Sequence, residues 1–373
     1  PRFGALAWNG SPAALNASYR SERSKKPGCT AISASAVALR QAGDPETTGQ
    51  IAAGQIALDE LSVEAQQPTF GTAGFVATRS TAGMKGNDSI LEPPATVSVI
   101  TREELNVRGV QDLNTAVAYT PNIQAVNYPG GQGGPTFTLR GFNANNFDNV
   151  YQDGLRYGFN SFDQNVEPYA YERIDVIKGP ISVLYGAGQP GGIVNLVSKR
   201  PDFTQHGSLN LTGTSFDGGL VQGDLTGPIA GTNLAYRMVA DIQSYAYWRN
   251  FGHLSRQVVA PSLTWKGDDT TVTVGYEFGH YRVPYDRGTI FDPTTGRPLR
   301  VPRDRRFDER SSQHEATSHL ATLDVDHRFD NAWTLHFGYT YSHLGYDEDQ
   351  IRPVTYLPAR GLLTRRADGT RNP

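Results

Sequence analysis

From residue 207 onward, apolar and polar residues alternate in segments of about ten residues, the length of a membrane-crossing strand. In 271–281, Val272, Val274, Tyr276 and Phe278 point one way, and Thr271, Thr273, Gly275, Glu277 and Gly279 the other. In 334–342, Leu335, Phe337, Tyr339 and Tyr341 oppose Thr334, His336, Gly338, Thr340 and Ser342. In 234–245, Leu234, Tyr236, Met238, Ala240 and Ile242 oppose Arg237, Asp241 and Gln243. Period two with one apolar and one polar face predicts strands. It suits a wall with lipid on one side and water on the other, and a soluble sandwich gives the same alternation. Seven strands are expected, near 207–215, 219–227, 234–245, 257–266, 270–281, 318–328 and 333–345. The links at 267–269 and 329–332 are tight, whereas 246–256 and 282–317 are long. Short and long links alternate from the third strand onward, as in barrels with tight turns at one rim and long loops at the other. The short 216–218 link departs from this.

Before residue 200 the texture differs. Residues 58–66 alternate weakly, with Leu61, Val63 and Ala65 on one side and Ser62 and Glu64 on the other, followed by a Gly/Thr/Ser linker over 67–84. Residues 97–100 read as a strand, and Thr101 caps a helix with Glu103 and Glu104 in its first turn. A second helix is expected over 110–119, with Val110, Leu113, Ala116 and Val117 on one face and Pro121 ending it. Strands recur at 136–140, 149–151, 173–177 and 193–197, joined by glycine-rich connections. The pattern is a small mixed α/β domain over 85–200, then an antiparallel β-region over 201–373. Residues 1–57 have little periodicity; Arg20, Arg23, Lys25 and Lys26 precede 31–39 in a weak secretory-leader pattern, and the stretch is expected to be leader and flexible segment.

Composition narrows the class. The chain has 373 residues, net charge −3, 38% hydrophobic residues, 40 glycines and 18 tyrosines. Mean hydropathy is −0.45 and the isoelectric point about 6.3, which makes no electrostatic case for nucleic acid. Low hydropathy with much Gly and Tyr suits a membrane β-barrel, because only alternate residues meet lipid. No apolar run approaches the ~18–20 residues of a spanning helix. Cys29 is the only cysteine, so there is no disulfide framework and no cysteine zinc cluster. The eight histidines show no ligand spacing, no Gly-x-Ser-x-Gly elbow occurs, and Gly130, Gly131, Gly133 and Gly134 precede a strand instead of a helix. No catalytic constellation, metal site or cofactor is expected.

Three blocks then carry the most information: Leu139-Arg140-Gly141-Phe142, Val150-Tyr151-Gln152-Asp153-Gly154-Leu155, and residues 172–201, which hold Gly179, Gly186, Gly188, Gly191 and Gly192. Glycines at that density allow backbone to pack where a Cβ would clash. In this order and spacing the blocks resemble the plug domain of a TonB-dependent outer-membrane receptor of the ferric-siderophore type. The resemblance implies a plug over 85–200 followed by the start of a transmembrane barrel. Plugged transporters have about 22 strands, so the expected seven make an incomplete wall, a fragment of a longer receptor.

The resemblance also assigns roles. Leu61, Ser62, Val63, Glu64 and Ala65 resemble a TonB box, an exposed strand that a TonB-type energy-transducing protein pairs with. Plug loops 126–135, 143–148 and 156–167 would offer Tyr128, Gln132, Phe147, Tyr157, Phe159 and Phe162 to a ferric siderophore, and the first long loop would add Tyr245, Tyr247, Trp248 and Arg249. Aromatic faces suffice for a ligand whose iron is already chelated. Arg140 and Lys178 would lock the plug to barrel-wall glutamates lying beyond Pro373. The arginine-rich run from Arg297 to Arg310 reads as a mixed, solvated loop. The implied function is energy-coupled siderophore uptake by a monomer in the outer-membrane lipid of a Gram-negative cell, without enzymatic activity. Receptors of this architecture for cobalamin or carbohydrate, and a β-rich binding module without transport, stay open.

Overall fold

The computed structural model describes residues 32–36, 74–82, 88–91, 95–125, 136–143, 149–157, 166–186, 188, 190–329 and 333–372. Ahead of the main sheet of the mixed domain lie three short strands, β1 (Ile32–Ala36), β2 (Arg79–Ser80) and β3 (Asp88–Ser89). The domain itself comprises β4 (Thr96–Thr101), α1 (Arg102–Arg108), α2 (Leu113–Val117), β5 (Ile123–Ala125), β6 (Phe137–Leu139), β7 (Phe142–Asn143), β8 (Val150–Gln152), β9 (Leu155–Arg156), β10 (Tyr171–Lys178), α3 (Ser182–Tyr185) and β11 (Gly192–Ser198). Its main sheet runs β4-β10-β11-β8-β9. β10 is antiparallel to both neighbours, and β11 is parallel to β8.

Local chemistry explains these elements. The Thr101 side chain accepts from the Glu104 N–H (3.2 Å), and Gly109 closes α1 in the left-handed region. α2 begins later than expected, at Leu113, because Asp112 caps it by accepting from the Thr115 N–H (2.8 Å). Two of the motif blocks are two-residue hairpins. Arg140-Gly141 joins β6 to β7 with φ of 52° and 81°, and Asp153-Gly154 joins β8 to β9 with 49° and 82°. Positive φ at both central residues is the type I′ signature that suits strand twist. The glycine block is a close approach. A Cβ on Gly191 would stand 2.2 Å from the Leu139 carbonyl oxygen, and one on Gly192 2.1 Å from that of Ile177.

The wall is an antiparallel meander: β12 (His206–Thr214), β13 (Gly218–Pro228), β14 (Leu234–Ala246), β15 (His253–Lys266), β16 (Thr270–Pro284), β17 (Gln313–Arg328), β18 (Thr334–Leu357) and β19 (Leu362–Asn372). The sheet is open, and β1 pairs with β12 at its first edge. Two corrections follow. Part of the expected leader is a strand, since Ile-Ser-Ala-Ser-Ala alternates too softly to be noticed. β18 runs on to Leu357 and an eighth strand returns beside it. That hairpin carries charge on both faces, Arg352–Asp368 and Arg371–Asp347 among it, so it lacks the apolar period that betrays a lipid-facing strand.

Register places the expected faces as read. Leu211 pairs with Val221, Val221 with Ile242, and Leu225 with Met238. These residues, with Leu209, Val274, Tyr276, Leu335, Phe337, Tyr339 and Tyr341, form an exposed apolar band. Trp265, Phe329 and Trp333 mark its rim near the tight turns, as aromatic girdles do. The opposite face meets the mixed domain. Val258 and Leu320 of the wall belong to the same core as Ile100, Leu105, Val150, Ile174 and Val194. Among the described residues no helix is long and apolar enough to cross a membrane.

Candidate functional site at the junction of plug sheet and wall

The stretch 166–200 of the mixed domain carries a row of polar contacts to the wall. Glu167 lies 3.6 Å from the Arg256 guanidinium and accepts from the Gln243 amide (3.3 Å). Burial pushes its carboxyl up to about 8, with Arg256 opposing. Gln222 in turn donates to Asp241 (2.8 Å), beside Gln243. Further along, the Lys199 ammonium sits 2.8 Å from Asp224 and 3.9 Å from the centre of the Tyr169 ring. Burial brings Lys199 down to about 8, against the pull of Asp224. Arg237 grips Asp224 through two bonds (2.8 and 2.7 Å) and donates to the Arg200 carbonyl (2.9 Å). Arg200 pairs with Asp324 at 3.2 Å. The Tyr171 hydroxyl donates to Glu277 (3.2 Å).

Each of these groups is largely withdrawn from water, and a charge so placed is offset only by a partner held in place. The arrangement is a seal. It has no nucleophile–base pair, and among the described residues no group of three or more His, Cys, Asp or Glu is disposed to hold a metal ion. Sequence reasoning missed Glu167, Lys199, Arg200, Asp224 and Arg256. The available signal was opposite charge at inward positions of the first wall strands, next to a charged exit from the plug.

The expected site residues scatter. Residues 61–65, Tyr128, Gln132, Phe147, Phe159 and Phe162 lie outside the described residues. Tyr157 is 1% exposed, its hydroxyl 3.5 Å from that of Tyr171, so it packs within the junction. Tyr245 packs beside Leu254, Tyr281 and Val283 on the plug-side face of the wall. The Tyr247 hydroxyl donates to Asp286 (2.9 Å), as does Arg249 (2.8 Å), which clasps loop 247–252 to loop 285–312. Trp248 remains half exposed beside them. Arg306, from the arginine-rich run, is no solvated side chain: it is buried against Asp308 and Phe251. Lys178 donates to Ser98 on β4 (2.9 Å), and burial, with Arg140 nearby, lowers its affinity for a proton. Among the described residues neither Arg140 nor Lys178 forms an ion pair. Arg173 and Asp175 pair inside the plug sheet at 3.1 Å, with Arg173 also bound to Thr81 (3.0 Å).

Residues 89–193 match the family model of the TonB-dependent Receptor Plug Domain. The ferrioxamine receptor of Yersinia enterocolitica is 30% identical over 337 residues, covering 84% of this chain and 45% of that protein. The ferrichrome outer membrane transporter/phage receptor of Escherichia coli K12 is 28% identical, covering 72% of this chain and 37% of its own length. The ferripyoverdine receptor of Pseudomonas aeruginosa superimposes with a TM-score of 0.73 at 21% identity, over 80% of this chain and 40% of that one. The chain thus spans less than half the length of these relatives. A plug sheet sealed by buried ion pairs to a wall with an outward apolar band accords with them, and the chain belongs to the TonB-dependent receptor family, of which it carries the plug domain and eight barrel strands.

Proposed function

We propose that this chain is part of an outer-membrane receptor for energy-coupled uptake of ferric siderophores. The observation that carries the reading is the plug sealed onto the inner face of a lipid-facing wall, which is the construction of a gated pore. The names of the relatives, receptors for ferrioxamine and ferrichrome, support a ferric chelate as cargo. The tight turns 229–233 and 267–269 lie at the periplasmic rim in this reading, and loops 247–252 and 285–312 face outward. Residues 61–65 pair as an added strand with a TonB-type protein, and force applied there remodels the plug. Ligand contacts come from Tyr128, Gln132, Phe147, Phe159, Phe162, Tyr245 and Trp248, with Tyr157 and Tyr247 holding the scaffold behind them. Arg140 and Lys178 meet carboxylates of the completed wall.

The test is growth under iron limitation. A Gram-negative host lacking its own hydroxamate receptors is given the gene and supplied with ferric trihydroxamates. Rescue that requires both the gene and TonB supports the reading. Rescue by cobalamin or a carbohydrate in place of the chelates reassigns the cargo within the same architecture. A product that fractionates without detergent and rescues nothing replaces transport with a β-rich binding module.

A further inference from the structure

Loop 285–312 and the upper part of β18 enclose a cleft of about 450 Å³, lined among others by Arg287, Ile290, Phe291, Arg352, Val354 and Tyr356. That size suits a small-molecule site. Its cations differ in kind. Arg352 makes two bonds to Asp368 (2.8 and 2.7 Å), a carboxylate that it shares with Arg366 at 2.6 Å. Arg287 has no carboxylate within ion-pair distance among the described residues. Its guanidinium lies 4.5 Å from the centre of the Tyr285 ring, donates to the Tyr285 hydroxyl, and donates to the Gln350 carbonyl oxygen at 2.9 Å. Both acceptors are neutral, and both side chains are buried, at 8% and 7% exposure. A rigid shelf therefore presents an exposed guanidinium, held by neutral acceptors that are themselves bonded to the Glu348 carboxylate behind them. Phe291 and Val354 stand beside it at 58% and 59% exposure, an apolar surface with no cover.

The direction of the cleft narrows the partner. In the lower wall the even-numbered face of β18 turns to the plug, since a Cβ on Gly338 would stand 3.1 Å from Leu155. Gln350 and Arg352 continue that face above, so the cleft opens on the lumen side, away from the apolar band. We infer that this cleft captures an anionic group on the incoming ferric chelate, with Arg287 as its cation and the Phe291–Val354 surface against the chelate's apolar body. The inference rests on the uptake reading above. A planar guanidinium favours a carboxylate over a point-charge contact.

The test uses the receptor in outer-membrane vesicles and two ferric linear trihydroxamates that differ only at one end, a terminal ammonium or a terminal succinyl carboxylate. The wild type is expected to bind the carboxylate form roughly 10-fold tighter, the size of one charge-assisted contact. Arg287→Gln removes that preference and leaves the ammonium form unchanged, while Arg287→Lys keeps part of it. Phe291→Ser weakens both forms alike. A preference that survives Arg287→Gln overturns the inference, as does equal affinity of the wild type for both forms with uptake intact. A wild type that binds neither chelate overturns the uptake reading and this inference together.

Discussion

Glu167 and Lys199 leave the plug a few ångströms from the wall, and neither reaches water. Their titrations act oppositely. The Glu167 carboxyl rises from 4.5 to about 8, so the folded protein keeps a proton that the unfolded chain releases. Its stabilising contribution is full below pH 4.5 and is lost as pH rises through 8. Lys199 falls from 10.5 to about 8, so stability recovers between pH 8 and 10.5 as the unfolded chain sheds its own proton. The charged groups acting on Glu167 are Arg256, Asp241, Asp112 and Glu277, and Gln243 donates to it. Thermal unfolding in detergent should therefore show wild type gaining stability from pH 8 to pH 5 relative to Glu167→Gln. Parallel curves for the two proteins would count against this assignment. Gly192 makes a second residue-scale case. Its φ of +129° and the 2.1 Å approach of the Ile177 carbonyl leave no room for a methyl group. Gly192→Ala should destabilise the plug by about 2–4 kcal/mol, the range of strain combined with a clash. Gly223→Ala, where nothing lies within 4 Å, should be near neutral, and native-state hydrogen exchange measures both variants.

At the scale of elements, the wall strands hold one register while serving two solvents. The face bearing Val274 looks outward, and the face bearing Asn210 looks toward the plug. Val274→Arg, two residues above the level of the Trp265 girdle, should cost more than the ~0–1 kcal/mol of the interface and less than the ~2–4 kcal/mol of the midplane, read as a lost yield of heat-modifiable protein in lipid vesicles, whereas Asn210→Arg should fold normally. Equal yields would remove the lipid-facing assignment. Six of the wall strands from residue 206 to 328 were legible because lipid enforces an apolar period of two. β18 was legible only in its lower part. Beyond Tyr346 the hairpin is held by cross-strand ion pairs, and Arg-Asp partners on both faces leave no period to read. The hairpin turns at Arg140-Gly141 and Asp153-Gly154 were present as motifs, but their role as I′ turns needed the dihedral angles.

For the whole molecule, the question is what keeps plug and wall together. Asp224 binds Lys199 from the plug and Arg237 from the wall at once. Asp224→Ala leaves two buried cations without their carboxylate, and breaking such a pair costs about 3–5 kcal/mol. Cells carrying Asp224→Ala in the assembled receptor should become sensitive to large antibiotics that the outer membrane excludes. Asp224→Asn, which keeps hydrogen-bond acceptors, should be milder. Unchanged permeability in both would assign the seal to apolar packing around Val258 and Leu320 instead.

Taken by itself, the sequence determined the division into plug and wall, the lipid-facing side of each early strand, the first helix cap and the family. Each of these rests on local chemistry or on a solvent that selects residues at a fixed period. The seal of Glu167, Lys199 and Arg200 was decided only by tertiary structure, as was the clasp of Tyr247 and Arg249 onto Asp286, and the shelf of Tyr285 and Gln350 under Arg287. Charge partners across those contacts stand tens of residues apart in the chain. Nothing local records whether a buried or half-buried cation will meet a carboxylate, because the protein brings the two together only by folding.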